Sequence, residues 1–346
     1  MKIKSPRIIF AGENDWAQCA HRVAAALNTH YDEIVARVIV AYPHAFGYGH
    51  DVCVNEIGFF PALKVAREHI ATDRPAWIFS TGDGSNTGNR SFTSWFRSHL
   101  PPSVHYGTFH IGSAYRLHSS RFEDLDTRTD AEVRFISADS MRLVSDSLRS
   151  RSYPYHYVNT LAERPVVERE PNHRPVVVHS PSNPGMKGTQ DIVALMDEMA
   201  GSLDFEFRLI TGVSYDECVR RRAGADIFIG QLNTEVGGHG YSSVEAAAQG
   251  MVPIASLNLT DPSVWTSAGL PVPPVRNATS VAELKSVIEQ LVKNPAELQQ
   301  ARETAVAWAH EGAASMAEAG KHYAEVIARY TGRTQPYDQD QNQATA

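Results

Sequence analysis

Short apolar runs alternate with amphipathic segments along most of the chain. The run "RIIFAG" at residues 7–12 is typical of a buried strand, and apolar side chains recur at helical spacing in the following segment, residues 16–28. Apolar runs at 33–42 and 76–82 enclose a helical pattern at 59–70, and the alternation continues to about residue 158. Strands that alternate with helices predict an α/β fold with a parallel sheet covered on both faces.

A stretch in which Pro165, Pro171 and Pro175 stand among charged residues interrupts this alternation, and the composition is typical of a linker. The pattern then restarts with further strands and helices. We therefore expect two doubly wound, Rossmann-like lobes that face each other across a cleft, with the ligand outside the carboxyl ends of the strands. The predicted parts are an acceptor-side lobe at 1–165, a donor-binding lobe at 174–310, a C-terminal helix at 311–330 that can pack back on the N-terminal lobe, and a disordered tail at 331–346.

The charge balance argues against a protein that binds duplex nucleic acid. The chain carries 32 Lys and Arg residues against 39 Asp and Glu residues, for a formal net charge of -7. An extended polyanion-binding surface normally needs a concentrated basic face. A local basic groove stays open, and its candidate residues are Arg90, Arg97, Arg116 and Arg121.

The sequence favours a cytoplasmic location. Its three cysteines, Cys19, Cys53 and Cys218, are widely spaced, which suits neither a disulfide framework nor a zinc site and favours a reducing compartment. No stretch approaches the roughly 20 apolar residues of a membrane span, and the first residues lack the apolar region of a signal peptide. No His-x-x-x-His pair lies on a predicted helix, so we expect no metal.

The segment "GHGYSSVEAAAQGMVPIAS" at residues 238–256 predicts a glycine-rich loop, a helix and a strand. The amides that begin such a helix, those of Gly240, Tyr241 and Ser242, can bind a phosphate at the carboxyl end of a strand. The carboxylate of Glu245 can accept hydrogen bonds from a ribose diol. The alternative is a capping box, in which Ser242 caps the helix and Glu245 bonds back to its amide, as we also expect for Ser214 and Glu217.

A second turn of the same kind follows the strand that begins this lobe. After Ser180, a turn rich in Ser, Asn, Pro and Gly leads to Lys187 and Gly188 just before a helix. A lysine ammonium in this position can neutralise a diphosphate. The alternative is an exposed lysine in an ordinary turn.

These segments resemble the donor-binding lobe of GT-B glycosyltransferases, specifically the retaining family 4. The resemblance is carried by "VHSPSNPGMKGTQDIVALM", by "ADIFIGQL" and by "GHGYSSVEAAAQGMVPIAS", and covers residues 175–260. It extends more weakly to the N-terminal lobe through "FAGENDWAQCAHRVAAALN" and "FHIGSAYR". It implies a GT-B fold and a nucleotide diphosphosugar, UDP- or GDP-linked, as the donor substrate, without a cofactor.

The resemblance assigns roles to individual residues. Lys187 matches the lysine that contacts the donor diphosphate, and Glu245 matches the glutamate that binds the ribose. Two positions depart from the family pattern: Gly237 replaces a first glutamate that meets the sugar, and no arginine precedes Lys187, since Pro181 and Ser182 stand in its place.

Further candidates lie in the N-terminal lobe. Gly12, Asn14 and Asp15 follow the first strand and are expected near the donor phosphates, with a helix N-cap as the alternative for Asn14 or Asp15. His110 is a catalytic candidate, and a hydrogen-bonded core histidine is its alternative. The acceptor-side candidates, which follow two strands, are Asp83, Ser113 and Arg116.

One further pattern is set aside. Asp124-Leu125-Asp126 has the Asp-x-Asp spacing of another glycosyltransferase fold, but no apolar strand precedes it, which predicts a solvated acidic loop.

The predicted function is metal-independent transfer of a sugar from a nucleotide diphosphosugar, with retention of the anomeric configuration. The acceptor partner could be a glycan, a lipid-linked glycan, a small molecule or a modified nucleobase. Two alternatives stay open: a nucleotide-sugar epimerase of the same fold, and a non-catalytic module that binds a nucleotide sugar or glycan.

Overall fold

The chain separates into two compact units in a computed structural model that describes residues 6–81, 92–110, 113–161, 174–232, 238–257 and 263–331. The first unit comprises Met1–Pro43, Gly49–Tyr155 and Gly320–Ala346, and the second comprises His44–Tyr48 and His156–Ala319. Most of the predicted linker and almost all of the predicted tail lie outside the described residues.

The first unit is built on a seven-stranded, wholly parallel sheet with the order β3-β2-β1-β4-β5-β6-β7. The chain order reverses between β1 and β4, which are direct neighbours. The strands are β1 (Arg7–Gly12), β2 (Val35–Val40), β3 (Val52–Cys53), β4 (Ala76–Thr81), β5 (His105–His110), β6 (Val133–Ser137) and β7 (Ser152–Tyr155).

Helices connect these strands and bury their apolar faces against the sheet. Ala62, Leu63, Ala66 and Ile70 of one helix pack with the side chains of β1 and β4, as periodic apolar positions predict. The helices are α1 (Cys19–His30), α2 (Val54–Ile57), α3 (Phe59–Ile70), α4 (Phe92–Arg97), α5 (Ser113–Arg128) and α6 (Asp146–Arg149).

The second unit has a five-stranded parallel sheet with the order β12-β11-β10-β8-β9. The chain order reverses between β8 and β10, which is the point where open α/β sheets bind ligands. The strands are β8 (Val176–His179), β9 (Glu206–Leu209), β10 (Ile227–Gln231), β11 (Val252–Ala255) and β12 (Arg276–Asn277).

Six of the helices among the described residues lie wholly in the second unit. Its main core joins Ile192 and Met196 to Ile227, Ile254 and Leu284, so that helices cover the sheet as the sequence predicts. The helices are α7 (Thr189–Ala200), α8 (Tyr215–Arg222), α9 (Gly240–Ala248), α10 (Ser263–Ser267), α11 (Val281–Lys293) and α12 (Pro295–His310).

The final helix, α13 (Met316–Thr331), returns to the first unit from Gly320 onward. Tyr323 is fully buried there, with its ring 5.6 Å from that of Phe109 and 5.0 Å from that of Phe135. Over the described parts of the chain, none of the helices has the length and apolar character that a bilayer span requires.

The prediction of a solvated acidic loop at residues 124–126 is wrong. These residues lie in α5, and Asp126 is fully buried, with its Oδ2 2.6 Å from His110 Nε2 and 2.6 Å from Arg134 Nε. Burial acts to raise the pKa of Asp126, but the charges of His110 and Arg134 together hold it below its usual value. Asp126 therefore compensates a guanidinium that is itself inaccessible to water.

Asp126→Asn should destabilise the first unit by about 3–5 kcal/mol, because it leaves the buried Arg134 with only the more distant carboxylate of Glu123, at 3.9 Å, as a counter-charge. Asp124→Asn is the matched control on the same helix. Its exposed ion pair with Arg128, at 2.8 Å, should contribute no more than about 0.5 kcal/mol. Urea denaturation of both variants measures the two effects, and equal losses would contradict this account of Asp126.

Candidate functional site

The carboxyl end of β10 is joined to its neighbours by the side chain of Gln231. This residue is only 1% exposed, and its Nε2 donates hydrogen bonds to the carbonyls of Ser256 and Gly238, both at 3.0 Å. The amide of Ser256 also donates to the carbonyl of Gln231 at 3.0 Å. Gln231 thus brings the end of β11 and the loop before α9 to the same place.

The predicted lysine turn packs against this end of β10. The amide of Leu232 donates to the carbonyl of Lys187 at 3.1 Å. Gly188 has a φ of +68°, and a Cβ atom there would lie 3.2 Å from Leu232 Cβ. Only glycine adopts this backbone conformation readily, so Gly188 allows the turn to approach the strand. Lys187 is half-buried.

His179, at the end of β8, connects β10 to the first residue of α7, which follows the same turn. Its Nδ1 donates to the carbonyl of Ile229 at 2.7 Å, and its Nε2 accepts from the hydroxyl of Thr189, the first residue of α7, at 2.9 Å. Burial and, to a smaller extent, the nearby charge of Lys187 lower the pKa of His179 to about 4, although its hydrogen bond to Ile229 acts to raise it. The imidazole is therefore neutral at pH 7, as this pair of hydrogen bonds requires.

The helix α9 begins two residues earlier than the predicted capping box. Its first residue is Gly240, with His239 at the N-cap, so Ser242 lies inside the first turn and the capping-box alternative is wrong. The cap expected at Ser214 is confirmed, since its hydroxyl accepts from the amide of Glu217. Gly240 has a φ of +67°, and a Cβ atom there would meet nothing within 4 Å.

The first-turn amides of α9 belong to Gly240, Tyr241 and Ser242, and they lie at the carboxyl end of the sheet because α9 follows β10. Gly230 lets the helix approach, since a Cβ atom at that position would lie 3.2 Å from Ser243 Oγ. The positive end of the helix dipole and the Lys187 turn thus both adjoin the end of β10.

Three enclosed oxygen atoms mark the ends of three adjacent strands. Ser180 Oγ follows β8, Gln231 Oε1 ends β10 and Ser256 Oγ follows β11, and none of them has a hydrogen-bond partner in the described part of the chain. Enclosed polar atoms without partners are uncommon because they lose hydration without compensation. All three follow or end strands at the carboxyl edge of the sheet, where open α/β sheets bind ligands.

Glu245 lies one turn further into α9 and is 5% exposed. Its carboxylate is paired with Arg222 and also accepts a hydrogen bond from the hydroxyl of Tyr215 at 3.1 Å. Arg222 is itself buried and donates to Gln249 Oε1 at 2.6 Å. Glu245, which was predicted to bind the ribose, is therefore also the counter-ion of Arg222, and this ion pair holds α8 against α9.

Gly12, Asn14 and Asp15 lie together at the carboxyl end of β1 in the first unit. A Cβ atom on Gly12 would lie 2.3 Å from the carbonyl oxygen of Thr81, so glycine is required where β1 adjoins β4. Asp15 accepts hydrogen bonds from the amides of Ala20 and His21 at 2.9 and 2.8 Å, which anchors the start of α1. Burial raises the pKa of Asp15 to about 6.

The remaining first-unit candidates are not brought into one cluster. His110 belongs to the buried Asp126 pair described above, which favours a structural role for its imidazole. Ser113 begins α5, and Arg116 on the same helix forms an ion pair with Asp139 at 2.5 Å. Asp83 lies outside the described residues, as does Gly237.

Three residues of the second-unit site were missed by sequence reasoning: His179, Gln231 and Ser256. Each follows or ends an apolar run, so the sequence signal was a polar residue at the carboxyl end of a predicted strand. Their partners lie between 7 and 50 positions away in the chain, which local patterns do not show.

No protein-family model and no curated protein matches this sequence. Solved structures do match it. A putative UDP-N-acetylglucosamine 2-epimerase from Listeria monocytogenes gives a TM-score of 0.54 at 13% identity, with 97% of this chain and 99% of that chain covered. The lipopolysaccharide outer core galactosyltransferase WaaB gives a TM-score of 0.51 at 10% identity, with 93% of this chain and 99% of that chain covered.

TarM gives a TM-score of 0.50 at 12% identity. The match covers 73% of this chain and 54% of the TarM chain. This chain has the GT-B fold. The two parallel sheets, their strand orders and these structural neighbours confirm the predicted fold class. At such low sequence identity, the likeness concerns the fold that glycosyltransferases and UDP-N-acetylglucosamine 2-epimerases share.

His179 should make the stability of the second unit depend on pH. Because burial depresses its pKa from 6.5 to about 4, its contribution is complete above pH 6.5 and is lost as the pH falls through about 4. The stability difference between the wild type and His179→Asn should shrink on acidification by up to about 1.4 kcal/mol per pH unit. Denaturation between pH 4 and pH 7 measures this change.

The exposed His30 provides the control, since His30→Asn at pH 7 should cost less stability than His179→Asn, which removes two buried hydrogen bonds. If the difference in the free energy of unfolding between the wild type and His179→Asn did not change with pH, His179 would not be held neutral in the folded protein.

Proposed function

We propose that this chain is a glycosyltransferase of the family 4 type, which transfers a sugar from a nucleotide diphosphosugar to an acceptor hydroxyl. The observation that carries the proposal is the convergence at the β8–β10 switch point of the second unit. There the Lys187 turn packs against the residue that follows β10, Gln231 holds the loop before α9, and three enclosed oxygen atoms without a partner in the described part of the chain follow or end β8, β10 and β11. Amides and an ammonium suit a diphosphate, and hydroxyl or amide oxygens suit the donors of a sugar or ribose.

Leaving-group stabilisation is the largest contribution that such a site can make. Departure of the diphosphate places negative charge on its oxygens while positive charge builds on the anomeric carbon. Amides fixed in α9 need no reorganisation when that charge appears, and the loss of one such donor typically costs about 10²–10³ in rate. The proposal therefore routes no step through a metal ion.

The proposed transfer retains the anomeric configuration. The acceptor hydroxyl attacks the anomeric carbon on the face from which the diphosphate departs, and the departing phosphate oxygen accepts the hydroxyl proton. The bond from carbon to the phosphate oxygen breaks as the bond to the acceptor oxygen forms. This route requires no carboxylate nucleophile.

Glu245 is proposed to accept hydrogen bonds from the ribose hydroxyls of the nucleotide. Its carboxylate orientation is fixed by Arg222 and by Tyr215, which contact different oxygens. A carboxylate oxygen has two lone pairs, so each can accept from a second donor. The acceptor is a hydroxyl of a glycan, a lipid-linked glycan, a small molecule or a modified nucleobase.

A nucleotide-sugar epimerase is the second candidate function. The full-length structural match to a putative epimerase, covering 97% of this chain, motivates it. An epimerase needs groups that act on the sugar ring itself, whereas the described site is richest in groups suited to phosphate. A binding module without turnover is the third outcome that an experiment must separate.

Incubation of the protein with a panel of UDP- and GDP-sugars tests the proposal. Nucleoside diphosphate release that depends on an added acceptor supports transfer. Interconversion of the sugars without an acceptor supports epimerisation, and saturable binding without either reaction supports a binding module. The absence of any saturable binding across the panel would contradict all three.

Lys187→Ala should lower turnover at least about tenfold and weaken nucleoside diphosphate binding. The substitution removes the ammonium charge that is proposed to stabilise the departing diphosphate. Lys285→Ala is the matched control, since Lys285 is exposed on α11 of the same unit and pairs with Glu198. Steady-state kinetics and calorimetry measure both variants. Equal kinetics for the two would remove Lys187 from the site.

A further inference from the structure

Three potential metal ligands of different chemistry meet in the first unit, and none of them belongs to the β8–β10 site. The Nε2 of His50, the Sγ of Cys53 and a carboxylate oxygen of Glu56 all lie within 4.8 Å of one another. His50 Nε2 is 3.2 Å from Glu56 Oε2. In the described part of the chain, this is the one group of three such side chains close enough to share an ion.

Local structure explains why these residues converge. Their spacing is His-x-x-Cys-x-x-Glu, with Cys53 at the end of β3 and Glu56 in the single turn of α2 that follows directly. The strand holds Cys53 beside β2, and the helical turn brings Glu56 back over the end of the strand. No regular helix is needed to align the three, which is why a search for His-x-x-x-His spacing does not find them.

The donor set is that of a zinc site. Imidazole, thiolate and carboxylate are the three side-chain ligands that Zn²⁺ uses, at about 2.0–2.3 Å. Tetrahedral coordination at those lengths separates the ligand atoms by about 3.3–3.8 Å. The observed His50–Glu56 separation of 3.2 Å is close to this range, and the 4.8 Å limit requires a shift of no more than about 1.5 Å.

The surroundings favour an ion over a plain hydrogen bond. The thiol of Cys53 is buried and donates one long hydrogen bond, at 3.7 Å, to the carbonyl of Ala41, so metal binding would replace only a weak interaction. Half of the Glu56 side chain, 53%, is exposed, which leaves one side of the group open to water. Three protein ligands and a fourth position taken by water are typical of zinc sites that are not closed structural sites.

Neighbouring groups fix the segment that carries the ligands. Asp51 Oδ2 accepts a hydrogen bond from the amide of Val38 at 2.7 Å, which holds the chain between His50 and Cys53 against β2. The ring of His21 packs beside Gly49, 3.4 Å from where a Cβ atom would stand. Such outer contacts orient ligands before a metal arrives.

We propose that His50, Cys53 and Glu56 bind a zinc ion with a fourth coordination position open to solvent. The site lies at the carboxyl end of β3 in the first unit, and the proposal does not depend on the function proposed above. Since Cys53 must lose a proton to bind, metal uptake should release protons and weaken as the pH falls.

Metal titration of the full-length protein, first freed of metal with a chelator, tests this proposal. Co²⁺ is the spectroscopic probe, because a thiolate ligand gives a charge-transfer band and tetrahedral coordination gives intense visible bands. We expect one Co²⁺ per chain, displacement by Zn²⁺, and an apparent zinc dissociation constant on the order of 1 µM or below. Absence of stoichiometric binding by the wild type would overturn the proposal.

Three variants assign the ligands. Cys53→Ser should abolish the charge-transfer band, and His50→Gln and Glu56→Gln should each weaken zinc binding at least about tenfold. The matched controls are Cys218→Ser, a half-buried cysteine of the second unit, and Glu68→Gln, an exposed glutamate on α3. Both controls should bind the metal as the wild type does.

Folding is monitored by circular dichroism, since Cys53 lies in the core. Should Cys53→Ser fail to fold, the exposed position of Glu56 makes Glu56→Gln the deciding variant. Wild-type zinc affinity in Glu56→Gln, or a charge-transfer band that persists in folded Cys53→Ser, would show that the three side chains form only a hydrogen bond beside a buried thiol.

Discussion

The paired hydrogen bonds of one buried amide, the side chain of Gln231, determine the geometry of the second-unit site. A strand end, a neighbouring strand and a glycine-rich loop meet there, and an apolar side chain could not join their carbonyls. With the loop held, α9 begins at the end of β10, and the Lys187 turn packs against the residue that follows Gln231. The phosphate-binding potential of the site thus depends on a residue that belongs to no glycine-rich motif.

The sequence predicted the fold well, for a physical reason. Strands of a parallel sheet are buried on both faces and so appear as uninterrupted apolar runs, such as residues 8–12 and 227–230. The strands β3 and β12 were not predicted because each has only two residues, too few for any periodicity. The Ser242–Glu245 spacing also fits a capping box, but that alternative is wrong because the helix already begins at Gly240, the first of the three residues whose amides were predicted to begin it.

Charged residues were the least predictable part of the molecule. Asp126 reads as part of an acidic loop, yet it neutralises Arg134 from the next strand, and Glu245 is the counter-ion of Arg222, 23 positions away. His50, Cys53 and Glu56 show the same difficulty, since their grouping depends on how β3 and α2 join. Local sequence patterns predict the strands and helices. Which charged residues pair can be seen only in the packed structure, because the partners lie on different elements.

The most direct test of the central claim is hydrogen–deuterium exchange of the backbone amides with and without UDP or GDP. A bound diphosphate should slow the exchange of the amides at residues 240–242, which begin α9, and of the turn at 180–188, while the amides of α5 in the first unit exchange as before. Saturable nucleotide binding that leaves both segments unprotected, or protects amides elsewhere instead, would contradict the assignment of the β8–β10 switch point as the diphosphate site.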